Sequence, residues 1–167
     1  FMFTVKDLYL KHGKYLELKL ITGQEGLSKP IKKPEVQRPG LSLSGYIKHF
    51  PTWRILIFGK VEIEYLKELK EETRLKRLKK IIVPSTPAII LARNFPPSKE
   101  IRKICSDNQI PLFKTPMTTV GLLSKLFFLL SEEFAPTVTV HGTLVEVFGM
   151  GVLIQGESSL AKSEAAL

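Results

Sequence analysis

The sequence predicts an α/β fold in which helices cover an open sheet, followed by the beginning of a second domain. Short apolar runs typical of buried strands alternate with segments of helical pattern through about Phe134. The connections between them are short, as in sheets built from strand–helix units. After Pro136 the pattern changes to a pair of strand-like runs, at residues 137–140 and 143–148, around a glycine. We therefore expect an N-terminal domain over residues 1–134 and the start of another domain over residues 135–167.

The first elements are predicted to be a short helix and a strand. Thr4 and Asp7 are spaced as in a capping box at a helix start, and Gly13 is expected to end this helix in a left-handed conformation. Leucines then alternate with polar residues, which predicts a strand over 15–21. Residues 23–39 are rich in Gly, Pro and Lys and are predicted to form an exposed loop.

Three apolar runs predict the inner strands of the sheet, at residues 54–59, 88–91 and 110–113. Each is followed by sequence of helical pattern.

The first two of these helices are predicted over residues 60–80 and 99–108. Thr118 or Thr119 is expected to cap the third, over residues 120–134. The core side of this third helix is expected to consist of Leu122, Leu123, Leu126, Phe127, Leu129 and Leu130.

Composition permits a folded core and excludes several classes of protein. A hydrophobic content of 44% in 167 residues is too high for a disordered tail. The single cysteine, Cys105, excludes an internal disulfide framework and fits a reducing compartment. No apolar run reaches the roughly 18 residues of a membrane span, and the start lacks the features of a signal peptide. We therefore expect a cytoplasmic protein without a membrane partner.

The net charge of +9 arises from 25 basic and 16 acidic residues, and much of it lies in residues 67–80. On a helix, Glu72 precedes Lys76 by four residues, which is the favourable order for an ion pair. This segment has three interpretations: a solvated helix face, which is the simplest, a nucleic-acid patch, or a contact with an acidic protein.

The sequence ends in a strand over residues 151–155, a glycine-bounded loop and a segment of helical pattern. This order is typical of a P-loop, whose backbone N–H groups point at phosphate oxygens. In such a loop the lysine reaches the β and γ phosphates and the following hydroxyl joins the Mg²⁺ shell. The loop consists of Gly156, Glu157, Ser158, Ser159, Leu160, Ala161, Lys162 and Ser163.

The match to the P-loop pattern is incomplete because Ala161 stands where the general pattern has its second glycine. Alanine in a left-handed conformation costs on the order of 1 kcal/mol. By pattern alone, a phosphate site and an ordinary strand-to-helix turn both remain open.

Three segments together resemble the HPr kinase/phosphorylase family. Residues 38–46 are similar to its proline-glycine-leucine and glycine-tyrosine stretch, and residues 111–115 to a short strand before its domain-closing helix. The most specific similarity covers residues 140–154 and leads directly into the loop. The resemblance extends from near Val5 to Leu167.

This resemblance implies an enzyme that uses ATP and Mg²⁺ to phosphorylate a serine of the phosphocarrier protein HPr, and inorganic phosphate to reverse the reaction. It also implies a hexamer built through the P-loop domains, a role in carbon catabolite regulation, and no nucleic-acid partner. The front domain would resemble the N-terminal domain of Mur ligases, and the second the kinase domain of phosphoenolpyruvate carboxykinase.

Carried over to this sequence, the resemblance gives each loop residue a part in binding the triphosphate. Lys162 would neutralise charge on the transferred group, and Ser163 would ligate Mg²⁺. His141 would be an active-site residue, whereas without the resemblance a turn histidine is the simpler interpretation. The family usually carries glycines where this chain has Ser159 and Ala161, and aspartate where it has Glu157.

The chain stops at Leu167, before the family's acidic residues that act as base and second metal ligand. We therefore expect it to be inactive alone as a kinase. The alternatives are a non-catalytic regulatory or partner-binding α/β module with a degenerate phosphate loop, and a nucleic-acid binder based on residues 67–80. No chemistry is assigned to the residues before Pro136.

Overall fold

The computed structural model of the chain describes residues 2–136, 142–147 and 150–155. Contacts divide the chain into two compact units, Phe1–Phe134 and Ala135–Leu167.

The first unit contains five helices and five strands. The helices are α1 (Val5–His12), α2 (Lys60–Glu68), α3 (Glu71–Ile81), α4 (Lys99–Asp107) and α5 (Thr119–Glu133). The strands are β1 (Lys19–Thr22), β2 (Val36–Gln37), β3 (Ile55–Phe58), β4 (Ile89–Leu91) and β5 (Leu112–Lys114). Short 3-10 helices span Gln24–Gly26, Gly40–Ser44 and Ala92–Asn94.

The five strands form one sheet in the order β1-β5-β4-β3-β2. Strands β2 to β5 are parallel, and β1 adds to β5 in the antiparallel direction. The register aligns Ile57 with Ile90 and Ile90 with Phe113. The predicted open α/β fold with covering helices is therefore confirmed.

Helices cover both faces of the sheet, which explains why its inner strands are apolar throughout. Ile55 and Ile57 of β3 belong to a core that includes residues of α1 and α5. Leu56 and Phe58, which point to the other face, belong to a second core with residues of α2, α3 and α4. All four side chains are buried, as expected of a parallel sheet between two helix layers.

The chain start confirms the capping box but not the end of the first helix. The Asp7 N–H donates to the Thr4 hydroxyl at 3.2 Å, and the Thr4 N–H donates to the Asp7 carboxylate at 2.9 Å. Gly13 is right-handed with φ −59°, so the predicted left-handed conformation is wrong. The chain turns instead at Glu17, whose φ is 53°. Leu16, which directly precedes this turn, is buried. The alternating leucines therefore begin before β1, which starts at Lys19 and so later than predicted.

The helix predicted over residues 60–80 is two helices, α2 and α3, separated by Leu69 and Lys70 in extended conformation. At this break the Arg74 side chain donates to the carbonyls of Leu66 and Leu69 at 2.8 and 2.9 Å, a contact that the local sequence does not indicate. It thereby adds a second donor to the Leu66 carbonyl, which also accepts from the Leu69 N–H at 3.2 Å, and supplies a donor to the Leu69 carbonyl just beyond α2.

The loop predicted over residues 23–39 contains strand β2 and is not fully exposed, because Gly26 and Ile31 are buried. Two residues are too few for a strand to show alternation.

Helix α5 is capped by Thr118, whose hydroxyl accepts from the Gly121 N–H. Leu122, Leu126 and Leu130 are buried, as predicted, but Phe127 is exposed. Leu123 and Leu129 are partly buried and also pack against the core, so Phe127 is the one predicted core residue of α5 that faces outward.

The described part of the second unit is an antiparallel hairpin of β6 (Gly142–Val147) and β7 (Met150–Gln155). Both strands agree with the sequence prediction to within a residue. The strand-like run predicted at 137–140 lies outside the described residues.

Candidate functional site

Every residue that the sequence assigns to the nucleotide site lies outside the described residues. These residues are His141, Gly156, Glu157, Ser158, Ser159, Leu160, Ala161, Lys162 and Ser163. Their roles therefore stay predictions.

The strands that flank this predicted site are described. β7 ends at Gln155, the residue before the loop, and β6 begins at Gly142, the residue after His141. Gly142 and Gln155 pair with each other in the antiparallel register. His141 and the loop are thus attached to the same end of one hairpin, and the strand that precedes a phosphate loop is present.

Within the first unit, charged groups meet where the parallel strands end. Arg38 follows β2 and Gly59 follows β3, so both lie at the carboxyl edge of the sheet. Glu62, in the first turn of α2, accepts from Arg38 Nε at 3.1 Å and from Arg38 Nη2 at 2.8 Å. It also accepts from the Gly59 N–H at 3.0 Å. One carboxylate therefore caps α2 and holds the guanidinium in a fixed plane.

The environment of this ion pair favours the charged forms. Burial alone would raise the pKa of Glu62, which is 3% exposed, but the hydrogen bonds from Arg38 and Gly59 outweigh burial and lower it. The hydrogen bond to Glu62 raises the pKa of Arg38 against the opposing effect of burial. The pair is ionised at neutral pH.

Gly59 permits close packing at this edge. A Cβ atom on Gly59 would lie 2.3 Å from Thr119 Oγ1 and 3.1 Å from Arg38 Nη2. Any larger residue would force α5 or the Arg38 side chain to move. Glycine therefore allows β3, α2 and the start of α5 to meet here.

The segment that connects β2 to β3 lines an open surface cavity of about 380 Å³. Arg38 lies at its beginning and Arg54 at its end, and Tyr46, Lys48 and Trp53 also line it. The guanidinium of Arg54 is occupied by Glu35 at 2.5 Å and by the side chain of Gln37 at 2.7 Å.

Sequence reasoning missed this part of the molecule because its partners are distant in sequence, such as Arg38 and Glu62. A partial signal exists, since Glu62 stands three residues after Gly59, the spacing at which a carboxylate caps a helix.

The basic segment at residues 67–80 is mostly surface. The predicted pair of Glu72 and Lys76 is absent from the ion pairs of the described residues. Arg74 instead turns inward and contacts Glu100 at 2.6 Å, which fixes α3 to α4.

The other two histidines and the cysteine lie outside the predicted nucleotide site. His12 contacts Glu133 at 3.0 Å and links α1 to α5, while His49 is exposed. Cys105 is buried, as expected for a core residue, and burial raises the pKa of its thiol to about 12 although Lys29 opposes this. A thiol of such high pKa is a poor nucleophile.

The described stretches contain neither a group of metal-ligand side chains nor a helix that could span a membrane. Over residues 2–136 and the hairpin strands, no three His, Cys, Asp or Glu side chains are grouped as metal ligands would be. In the same stretches, each helix falls short of the length and hydrophobicity that crossing a bilayer requires.

Comparison with known families gives two consecutive matches. The model described as HPr Serine kinase N terminus matches residues 3–130, and the model described as HPr Serine kinase C-terminal domain matches residues 132–167.

Three curated relatives, each named HPr kinase/phosphorylase, are similar over 90% of this chain. The relative from Bacillus licheniformis is 40% identical, and those from Bacillus velezensis and Bacillus subtilis are each 39% identical. The matches cover 49%, 48% and 48% of these relatives, respectively, so the chain spans about half of their length.

One solved structure, of the CBS and DRTGG domains of a Clostridium perfringens pyrophosphatase with diadenosine tetraphosphate, is similar at a TM-score of 0.46 and 20% identity. It covers 69% of this chain and 43% of that one. This likeness is too slight to assign a fold or a ligand.

Proposed function

Because this chain belongs to the HPr serine kinase family, we propose that it supplies the N-terminal domain and the phosphate-binding start of an HPr kinase/phosphorylase. The whole enzyme phosphorylates a serine of HPr with ATP and Mg²⁺, and reverses this with inorganic phosphate. Residues 1–134 form the N-terminal domain of that enzyme, and residues 135–167 begin its P-loop domain. It works in the cytoplasm as a homo-oligomer, a hexamer in the proposal, and takes part in carbon catabolite regulation.

The observation that carries the proposal is the hairpin that leads into the loop. β7 ends at Gln155, and its partner Gly142 follows His141 directly. A P-loop needs a strand before it, so that its backbone N–H groups turn towards the phosphates at the strand's carboxyl end. The order of strand and glycine-bounded loop in this chain meets that requirement.

The chemistry of the loop side chains fits a nucleotide with its metal ion. Lys162 would hold a terminal phosphate by its positive charge, and the Ser163 hydroxyl is the donor type that Mg²⁺ accepts. When bound, ATP supplies the phosphoryl group and Mg²⁺ neutralises charge that develops on it. His141 would contact phosphate or orient the reacting hydroxyl, and its neutral imidazole would accept a proton near pH 7.

The activity needs residues in addition to these. Phosphoryl transfer requires a group that activates the serine hydroxyl and further metal ligands besides the loop. We assign these groups to the part of the relatives' length that the match does not cover.

Titration with ATP and Mg²⁺ tests the nucleotide part of the proposal in a protein of the relatives' full length that carries this segment. Binding should weaken at least about tenfold in Lys162→Ala, since a charge-assisted contact to phosphate is lost. Lys76→Ala, which removes an exposed lysine of α3, is the matched control and should bind as the unchanged protein does. Equal binding by both variants refutes the role of Lys162, and no binding by any of them favours a non-catalytic module with a degenerate loop.

A further inference from the structure

The cavity between β2 and β3 has the composition of an anion-binding site. None of the described residues that line its roughly 380 Å³ is acidic, whereas Arg38, Lys48 and Arg54 are basic. Arg38 and Arg54 are paired with Glu62 and Glu35, which lie outside the lining. Lys48 is exposed and takes part in no ion pair among residues 2–136, so an anion that enters the cavity meets a cation that no carboxylate offsets.

Arg38 provides a donor of fixed direction. Its Nε and Nη2 atoms are held by Glu62, while Nη1 takes part in none of the hydrogen bonds of the described residues. The side chain is 35% exposed and lines the cavity. A guanidinium that is already immobilised loses little further entropy when it binds an oxyanion through its free edge.

Aromatic rings stand beside these cations. Tyr46 and Trp53 line the cavity and are 56% and 45% exposed. Lys33 Nζ lies 5.7 Å from the centre of the Trp53 ring, which places one more cation near this wall. Exposed rings beside directed cations are the combination that binds a planar ring and a phosphate together.

The cavity is open to solvent, and its volume lies at the lower end of the range of about 300–1,000 Å³ that is typical of small-molecule sites. This space is sufficient for one planar base and one phosphate.

We propose that this cavity of the N-terminal domain binds a nucleoside monophosphate, with the phosphate on Arg38 and Lys48 and the base against Tyr46. Glu62 acts as a positioning residue, because it holds the Arg38 guanidinium. The site is separate from the predicted P-loop and uses none of its residues.

The test uses the 167-residue chain with Lys162→Ala and no Mg²⁺, so that the loop at 156–163 does not contribute. Isothermal titration with AMP, GMP, CMP and UMP, and with adenosine and inorganic phosphate as parts of the ligand, measures affinity directly. At least one nucleoside monophosphate should bind about tenfold or more tightly than inorganic phosphate or its own nucleoside, because the two contacts act together. Equal binding of inorganic phosphate, or no binding of any monophosphate, overturns the proposal.

Two pairs of variants locate the site. Lys48→Glu should weaken binding of the monophosphate about tenfold or more, whereas Lys76→Glu makes the same charge change on α3 and should have less than about a twofold effect. Tyr46→Ala should weaken binding about fivefold or more through lost stacking, whereas Tyr15→Ala removes an equally exposed tyrosine, 55% against 56%, that is not part of the cavity.

The four substituted side chains are exposed, so the variants should fold, and thermal unfolding of each checks this. If Lys48→Glu binds the monophosphate as Lys76→Glu does, or Tyr46→Ala as Tyr15→Ala does, the ligand binds elsewhere and the assignment to this cavity is wrong.

Discussion

Replacement of Arg38 by methionine should destabilise the first unit, because it leaves a buried carboxylate without its counter-charge. Glu62 is 3% exposed and would keep only the Gly59 N–H among its present donors. Removal of one partner from a buried ion pair typically costs 3–5 kcal/mol, and we expect about 2–3 kcal/mol here because the Arg38 side chain is 35% exposed and partly screened by water.

The destabilisation should depend on pH with a defined sign. In the unchanged chain the pKa of Glu62 is below its usual value, so its stabilising contribution is present above the pKa of the unfolded state and is lost as pH falls through the folded-state pKa. Without Arg38, burial raises the pKa of Glu62, so the variant favours the protonated acid. The difference between the two proteins should therefore be largest at neutral pH and shrink below about pH 5.

Denaturant unfolding followed by Trp53 fluorescence measures this effect. Trp53 is the only tryptophan of the chain and belongs to the first unit, so the signal reports on that unit. Arg102→Met is the matched control, because Arg102 is exposed and makes no ion pair within residues 2–136. Arg38→Met combined with Glu62→Met should recover more than half of the loss. If Arg38→Met is as stable as Arg102→Met at pH 7, the coupling between Arg38 and Glu62 is refuted. A loss of stability in Arg38→Met that stays constant with pH refutes it as well.

Two further predictions concern packing in the first unit. Gly59→Ala should lower the free energy of unfolding by about 1–3 kcal/mol, because the new Cβ would lie 2.3 Å from Thr119 Oγ1. In urea unfolding, combination with Thr119→Ala should recover part of this loss, and no recovery would show that the contact is not its cause. Cys105 is buried with its pKa raised to about 12, so a thiol-specific reagent at pH 8 should modify it at least about a hundredfold faster in denaturant than in the folded chain; similar rates would contradict its burial.

The inner strands of the sheet were predictable because a strand that is buried on both faces consists of apolar residues throughout. The run from Ile55 to Phe58 has no polar residue, and the structure places all four side chains in core on one face or the other. The edge strand β2 shows no such apolar run, since it is only two residues long. Local pattern therefore reveals strands whose burial is complete and misses a strand as short as β2.

Tertiary contacts explain the other differences between prediction and structure. At the break between α2 and α3, the Arg74 side chain donates to two backbone carbonyls, a contact that no helix propensity encodes. Phe127 has the residue type of a core position, yet α5 turns it outward. The same limitation applies to the cavity, because the pairing of Arg38 with Glu62 joins residues 24 positions apart.

For the predicted nucleotide site, the sequence indicated the strand before the loop and its hairpin partner, and both are present. The assignments of His141 and of Gly156 to Ser163 depend on the loop pattern and on the family resemblance. Catalysis tests them, because a P-loop lysine acts on a phosphate that only the bound nucleotide supplies.

The most direct measurement of the central claim is the transfer of phosphate from ATP to a serine of HPr by a protein of the relatives' full length that contains this segment. We predict Mg²⁺-dependent phosphorylation that decreases at least about a hundredfold in Lys162→Ala and is unchanged in Lys76→Ala, with mass spectrometry locating the phosphate on serine. Undiminished phosphorylation of HPr by the Lys162→Ala protein would contradict the claim that residues 156–163 form its phosphate-binding loop.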